Sequence, residues 1–186
     1  MRITGGHLSG RIIKAPAGTM TRPTSDRVRA AVFNILAHHD WGKNIAHPFD
    51  NAHVLDAFCG SGALAFEALS RGALEATLFD KDHQALLQAE DNIVNLGLNK
   101  ICRIISTDVL RPPRAKTACQ LIFLDPPYRK NLVPQALTSL TKSAWIAPNA
   151  LIVIETSKKE VLDLIDGFVF LFSRTYGDTA VHFVTH

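Results

Sequence analysis

From His53 onward the chain alternates short apolar runs with longer segments of helical spacing, and this constrains the fold more than any other feature. His53–Phe58, Ala76–Asp80, Ile101–Ser106, Gln120–Asp125 and Leu151–Glu155 read as strands. Between them Ser61–Arg71 reads as a helix closed by Gly72, His83–Leu96 as a helix stopped by Gly97, and Leu132–Lys142 as a third helix. Parallel strands need a crossover, and a helix is the usual one, so this succession predicts a mostly parallel sheet covered on both faces. The end breaks the pattern. Phe168–Thr175 and Thr179–Thr185 flank Tyr176-Gly177-Asp178, which predicts a C-terminal antiparallel hairpin. The expected class is α/β, Rossmann-like.

Residues 1–46 stand apart as a small basic extension. Arg11–Ala15 fits one strand of a short hairpin after the glycines, and Pro23-Thr24-Ser25-Asp26 fits a helix start. Val28, Val32, Ile35, Leu36 and His39 are spaced to form one face of that helix, and His47–Asn51 reads as a linker. The expected organisation is therefore an extension over 1–46 and a catalytic-type α/β domain over 47–186. Charge divides the same way. Residues 1–43 hold seven Lys/Arg against Asp26 and Asp40, whereas the rest hold thirteen basic and fifteen acidic side chains. A basic arm on a near-neutral body points to a polyanionic partner, with a solvated basic face as the plainer alternative.

Several classes drop out. At 186 residues, 47% hydrophobic and 20% charged, the chain has the material for one well-cored globular unit. Cys59, Cys102 and Cys119 form no CxxC pair, so neither a disulfide framework nor a zinc site is expected, which suits the cytoplasm. The eight histidines show no ligand spacing, and no metal is expected; His38-His39 reads as a helix end. The uncharged run Ser143–Ile154 is far short of the roughly 20 apolar residues of a membrane helix and contains Pro148. MRITGGHLSGRIIK has no apolar signal core, so neither membrane nor secretion is expected.

Three motifs carry chemistry. Asp56-Ala57-Phe58-Cys59-Gly60-Ser61-Gly62-Ala63-Leu64 runs from a strand through a glycine turn into a helix. Such glycines let backbone approach a ligand, and the helix start offers unpaired N–H donors. Gly60-x-Gly62-x-x-Ala65 also satisfies the relaxed dinucleotide fingerprint, so the motif alone does not choose a cofactor. Asp80 ends a strand 18 residues beyond Gly62, where a carboxylate can accept from ribose hydroxyls. Asp82 reads rather as a helix cap, and Asp108, after Ile104-Ile105-Ser106, as either an adenine acceptor or a loop cap. The third motif, Leu121-Ile122-Phe123-Leu124-Asp125-Pro126-Pro127-Tyr128, decides. Prolines fix φ and remove N–H donors, so the segment shows carbonyls to a ligand. A carboxylate and a carbonyl together accept both hydrogens of an exocyclic amine, and Tyr128 can stack on a base. Phe66, Leu69 and Trp145 read as packing.

Asp125-Pro126-Pro127-Tyr128 resembles the signature of amino-methyltransferases that modify nucleobases with S-adenosylmethionine. Met1-Arg2-Ile3-x-Gly5-Gly6, Gly10-Arg11, Arg22-Pro23-Thr24-Ser25-Asp26-Arg27-Val28-Arg29 and Phe33-Asn34 narrow the likeness. Gly60-Ser61-Gly62-Ala63-Leu64, Glu67-Ala68-Leu69-Ser70-Arg71-Gly72-Ala73 and Tyr176-Gly177-Asp178-Thr179 belong to it too, and matching weakens between Asp82 and Cys119. Together these resemble the RsmD family of bacterial 16S rRNA guanine-N2 methyltransferases. Ala30, Cys59 and Ala65 depart from its usual pattern.

The resemblance implies an S-adenosylmethionine-dependent methyltransferase fold and methylation of the exocyclic N2 of one guanine in 16S rRNA, within an assembled or assembling small subunit, by a monomer. It implies Asp56, Phe58, Gly60, Ser61, Gly62, Asp80 and Asp108 around the donor, and Asp125, Pro126, Pro127 and Tyr128 around the target amine. Arg11, Arg22, Arg27 and Arg29 would hold RNA phosphates. Competing readings are a methyltransferase acting on another RNA or on DNA adenine, a nicotinamide-dependent oxidoreductase, and a non-catalytic RNA-binding module. The oxidoreductase leaves Asp125-Pro126-Pro127-Tyr128 without a role.

Overall fold

In the computed structural model, which describes residues 1–15, 26–127 and 132–186, β1 (His53–Asp56) is an inner strand of a seven-stranded sheet. Around it are β2 (Glu75–Asp80), β3 (Cys102–Ser106), β4 (Cys119–Leu124), β5 (Ile146–Ser157), β6 (Val169–Tyr176) and β7 (Thr179–Thr185), in the order β3-β2-β1-β4-β5-β7-β6. All pairings from β3 through β5 are parallel, and β7 then pairs antiparallel with both β5 and β6. The expected hairpin is present, its two-residue turn placing Gly177 at φ +62°.

Helices α1 (Asp26–His38), α2 (Ala63–Ser70) and α3 (His83–Leu96) pack on one face, and α4 (Leu132–Lys142) packs on the other. The helix ends follow local chemistry. The Asp82 side chain accepts from the Gln84 amide at 2.8 Å, and Gly97 closes α3 in the left-handed conformation. Parity along the strands sets the two cores. Val54, Leu78, Phe123, Val153 and Val181 face α1–α3, whereas Leu55, Phe79, Ile122 and Ile152 face α4 and the buried Trp145. Phe66 and Leu69 are core, as expected, and Trp145 anchors its side by donating from Nε1 to the Pro113 carbonyl at 2.7 Å.

One strand differs from expectation. Leu151–Glu155 is only part of β5, which runs from Ile146 to Ser157. Pro148 does not end it, because the register jumps between Cys119↔Ile146 and Leu121↔Leu151, and this irregularity holds Pro148 and the left-handed Asn149.

The N-terminal segment doubles back through an antiparallel bridge, Arg2↔Ile12. It shares the main core: Ile3, Ile13, Val32, Phe33 and Leu36 are buried with Phe66 of α2 and Phe123 of β4. Phe49, in the expected linker, stacks on Phe33 with ring centroids 6.0 Å apart. The segment docks so closely that a Cβ on Gly6, at φ +77°, would lie 1.8 Å from the Ser70 carbonyl oxygen.

Candidate active site

Register brings the acids together. Asp56 pairs with Leu78 on one side and Phe123 on the other, and Leu124 pairs with Ile154. Side chains two residues apart share a face, so Asp80, Asp56, Asp125 and Glu155 lie on the α1–α3 face at the carboxyl ends of β2, β1, β4 and β5. Those four strands are neighbours in that order. Ligands of open α/β sheets bind at such carboxyl ends.

The turn after β1 is tightly tied. The Cys59 amide donates to the Phe79 carbonyl at 2.9 Å, the Gly60 amide to Asp80 Oδ2 at 3.0 Å, and the Gly62 amide to the Cys59 carbonyl at 2.7 Å. Gly62 has φ +83°, and a Cβ there would lie 2.5 Å from Phe66 Cζ and 2.8 Å from Leu78 Cδ2. A side chain is thus excluded twice, by conformation and by space. Buried Asn92 braces the turn by donating to the Ser61 carbonyl at 3.1 Å and to the Lys14 carbonyl at 2.9 Å.

Beside this turn Asp56 is 1% exposed. Its Oδ2 accepts from the Ala65 amide at 3.3 Å, while Oδ1 is buried with no partner. Burial pushes its carboxyl up to about 7; the Ala65 amide opposes that rise, and the Asp80 charge adds to it. A buried carboxylate oxygen left without a donor is costly, and a cationic amino group would satisfy it. Above Gly60 a Cβ would meet nothing within 4 Å, so this edge of the turn is open. These residues therefore fit a ligand that carries an ammonium group at one end.

Asp125 is half-buried, Pro126 is buried and Pro127 is exposed. Burial pushes the Asp125 carboxyl well above its ordinary value, with the charge of Glu155 next and that of Asp56 after it. Asp125 and Glu155 line one small cavity with Arg29 and Val32 of α1, Leu64 of α2 and Val181 of β7. Tyr128, expected to stack on the target, lies outside the described residues, as does Arg22.

The other expected residues divide. Phe58 is half-buried against the α4-side core. Asp108 is exposed at the end of β3, its Oδ1 accepting from the Leu110 amide at 3.0 Å. Arg11 and Arg27 are exposed; Arg11 Nη2 donates to the Asn95 carbonyl at 2.6 Å. Arg29 is a correction. It is 1% exposed and holds the extension in place instead of facing a phosphate. Its Nε donates to Glu67 Oε1 at 3.2 Å, and its Nη2 to Asp26 Oδ1 at 3.0 Å and to the Arg2 carbonyl. Glu67, fully buried, accepts also from the Thr4 amide at 2.6 Å and from Arg71 Nε at 3.4 Å. Sequence reasoning missed Glu155 as a site residue. Its signal was an acid closing the apolar run Leu151–Ile154, the same pattern as Asp56 and Asp125.

A family model described as conserved hypothetical protein 95 matches residues 1–185. The chain is 34% identical to a Bacillus subtilis protein named "Putative rRNA methyltransferase YlbH", over 97% of this chain and 96% of that one. It is also 34% identical to Ribosomal RNA small subunit methyltransferase D of Haemophilus influenzae, over 95% and 89% of the two chains. Among solved structures it superposes on "Putative methyltransferase yhhF" of Escherichia coli with a TM-score of 0.82 at 30% identity, covering 100% of this chain and 97% of the other.

Proposed function

This chain belongs to the RsmD family, described as conserved hypothetical protein 95, and we propose that it methylates the exocyclic N2 of a guanine in 16S rRNA. One observation carries the reading. The unpartnered Oδ1 of Asp56, beside the Gly60–Gly62 turn, shares a sheet face with Asp125, which opens the Pro126-Pro127 segment. This arrangement supports a donor site and an amine site at neighbouring strand ends.

S-adenosylmethionine, when bound, supplies a methyl group on an electrophilic sulfonium. Asp56 would pair with its ammonium group, Asp80 would accept from the ribose hydroxyls, and the open edge at Gly60 would admit the methionine end. Phe58 and Ser61 would flank it, and Asp108, beyond β3, would accept from the adenine amine. Asp125 and the Pro126 carbonyl accept the two hydrogens of the target amine, which aims the nitrogen lone pair at the methyl carbon; Tyr128 stacks on the base. Holding the two reactants in line supplies most of the acceleration. As the N–C bond forms, the amine becomes acidic and Asp125 takes its proton. A base inside a duplex offers no such approach, so the guanine is unstacked.

The exposed Arg11 and Arg27, with Arg22, hold phosphates, and the extension 1–46 is the RNA-contacting part of the molecule. Few arginines give little selectivity alone, so the substrate is an assembled or assembling small subunit; the enzyme acts as a cytoplasmic monomer. The likeness to a protein named for the small-subunit RNA supports this choice.

The test offers labelled S-adenosylmethionine with unmodified small subunits, naked 16S rRNA and duplex DNA, and identifies the product nucleoside by mass spectrometry. N2-methylguanosine at one site in the subunits is expected, and Asp125→Asn should cut the rate by about 100-fold or more while donor binding persists. Methylated adenine in DNA, or undiminished transfer by Asp125→Asn, would overturn the reading.

A further inference from the structure

Glu155 has no part in the chemistry so far, yet it sits where it can act on Asp125. Leu124 and Ile154 are register partners on parallel β4 and β5, so Asp125 and Glu155 leave adjacent strands side by side. Strands lie about 4.8 Å apart, which places two carboxylates within strong mutual influence. Glu155 is 9% exposed, and both acids line the same cavity.

Other charged groups among the described residues also face this corner. From α1 comes Arg29, whose guanidinium is engaged by Glu67 and Asp26. From β1 comes Asp56, a third acid, and from β2 Asp80, whose oxygens accept from the Gly60 and Asp82 amides. From α2 and β7 the cavity is lined by Leu64 and Val181. Burial and the charges of Glu155 and Asp56 thus all act on Asp125 in the same direction.

We propose that Glu155 is a positioning residue of the reaction: its negative charge, one strand from Asp125, makes that carboxylate the acceptor of the proton that leaves the methylated amine. In that step the nitrogen lone pair forms the N–C bond and the C–S pair departs on sulfur. The N–H pair then returns to nitrogen as the proton passes to Asp125. A lone aspartate in water is a poor acceptor at neutral pH, whereas one beside a second buried carboxylate holds a proton far more firmly. The inference rests on the reading of Asp125 as the amine's partner.

The sign follows from charge. Ionised Asp125 is the active form, so activity falls as pH drops through its raised value, and replacing Glu155 by a neutral amide moves that fall to lower pH. The experiment compares wild type with Glu155→Gln and Glu155→Asp in single-turnover methyl transfer across pH, and follows the Asp125 carboxyl carbon by NMR titration of the donor-free protein. Glu155→Gln should move both the acid limb and the Asp125 titration down by about one pH unit or more, with donor affinity within about twofold. Glu155→Asp should restore most of the shift. An acid limb and a titration that stay in place in Glu155→Gln would overturn the inference. A wild type that forms no methylated nucleoside would instead overturn the reading of the site, and the NMR titration would still decide whether Glu155 acts on Asp125.

Discussion

Asp56 carries opposite costs in the two states of the site. Its carboxyl has an ordinary value of 3.8 and is pushed to about 7 in the fold, so the folded protein binds that proton more tightly than the unfolded chain does. The stability it contributes is complete below about pH 4 and is lost as pH rises through about 7. The donor-free protein should thus be more stable at pH 5 than at pH 8 by on the order of 2 kcal/mol from this group. Urea unfolding at the two pH values checks this. Asp56→Asn should flatten the difference and weaken donor binding at least about tenfold, since the neutral amide lacks the charge that pairs with an ammonium group. A steep pH dependence that survives in Asp56→Asn would assign it to another group.

Between elements, the fold depends on how α1 is fastened to α2. Glu67 is fully buried and receives Arg29, Arg71 and the Thr4 amide, which ties the N-terminal segment, α1 and α2 to one carboxylate. Removing one partner strands a buried charge, whereas removing both does not. Glu67→Ala should cost about 3–5 kcal/mol in urea unfolding, and the double change Arg29→Met with Glu67→Leu should cost less than Glu67→Ala alone. Additive losses would deny the coupling. The glycines belong to this scale too, because Gly6 permits the dock onto Ser70 and Gly62 permits the tight turn between β1 and α2.

For the whole molecule the question is how a body of low net charge meets a polyanion. The basic excess lies in the first 43 residues, and of these Ile3, Leu8, Ile13, Val32, Phe33 and Leu36 are buried in the α1–α3 core. Arg11→Ala and Arg27→Ala should each weaken rRNA binding and reduce the salt slope of the affinity by about one, with donor affinity unchanged. Filter binding at several salt concentrations reads both. Arg29→Ala behaves differently, losing stability before it loses any phosphate contact.

The alternation of strand and helix, the glycine turn, the acids that close β1, β2 and β4, and the C-terminal hairpin could all be read from sequence alone, because each is a local pattern. Periodicity, turn residues and strand-end acids do not depend on distant neighbours. What only the tertiary structure decided is which side chains share a place. Arg29 and Arg27 are two residues apart, yet one is sealed against Glu67, 38 positions away, and the other faces solvent. Glu155 became part of the site only when β5 was laid beside β4 with Ile154 opposite Leu124. Burial and register arise from long-range packing, and those two quantities separate a structural arginine from an exposed one and a strand-end acid from a partner of Asp125.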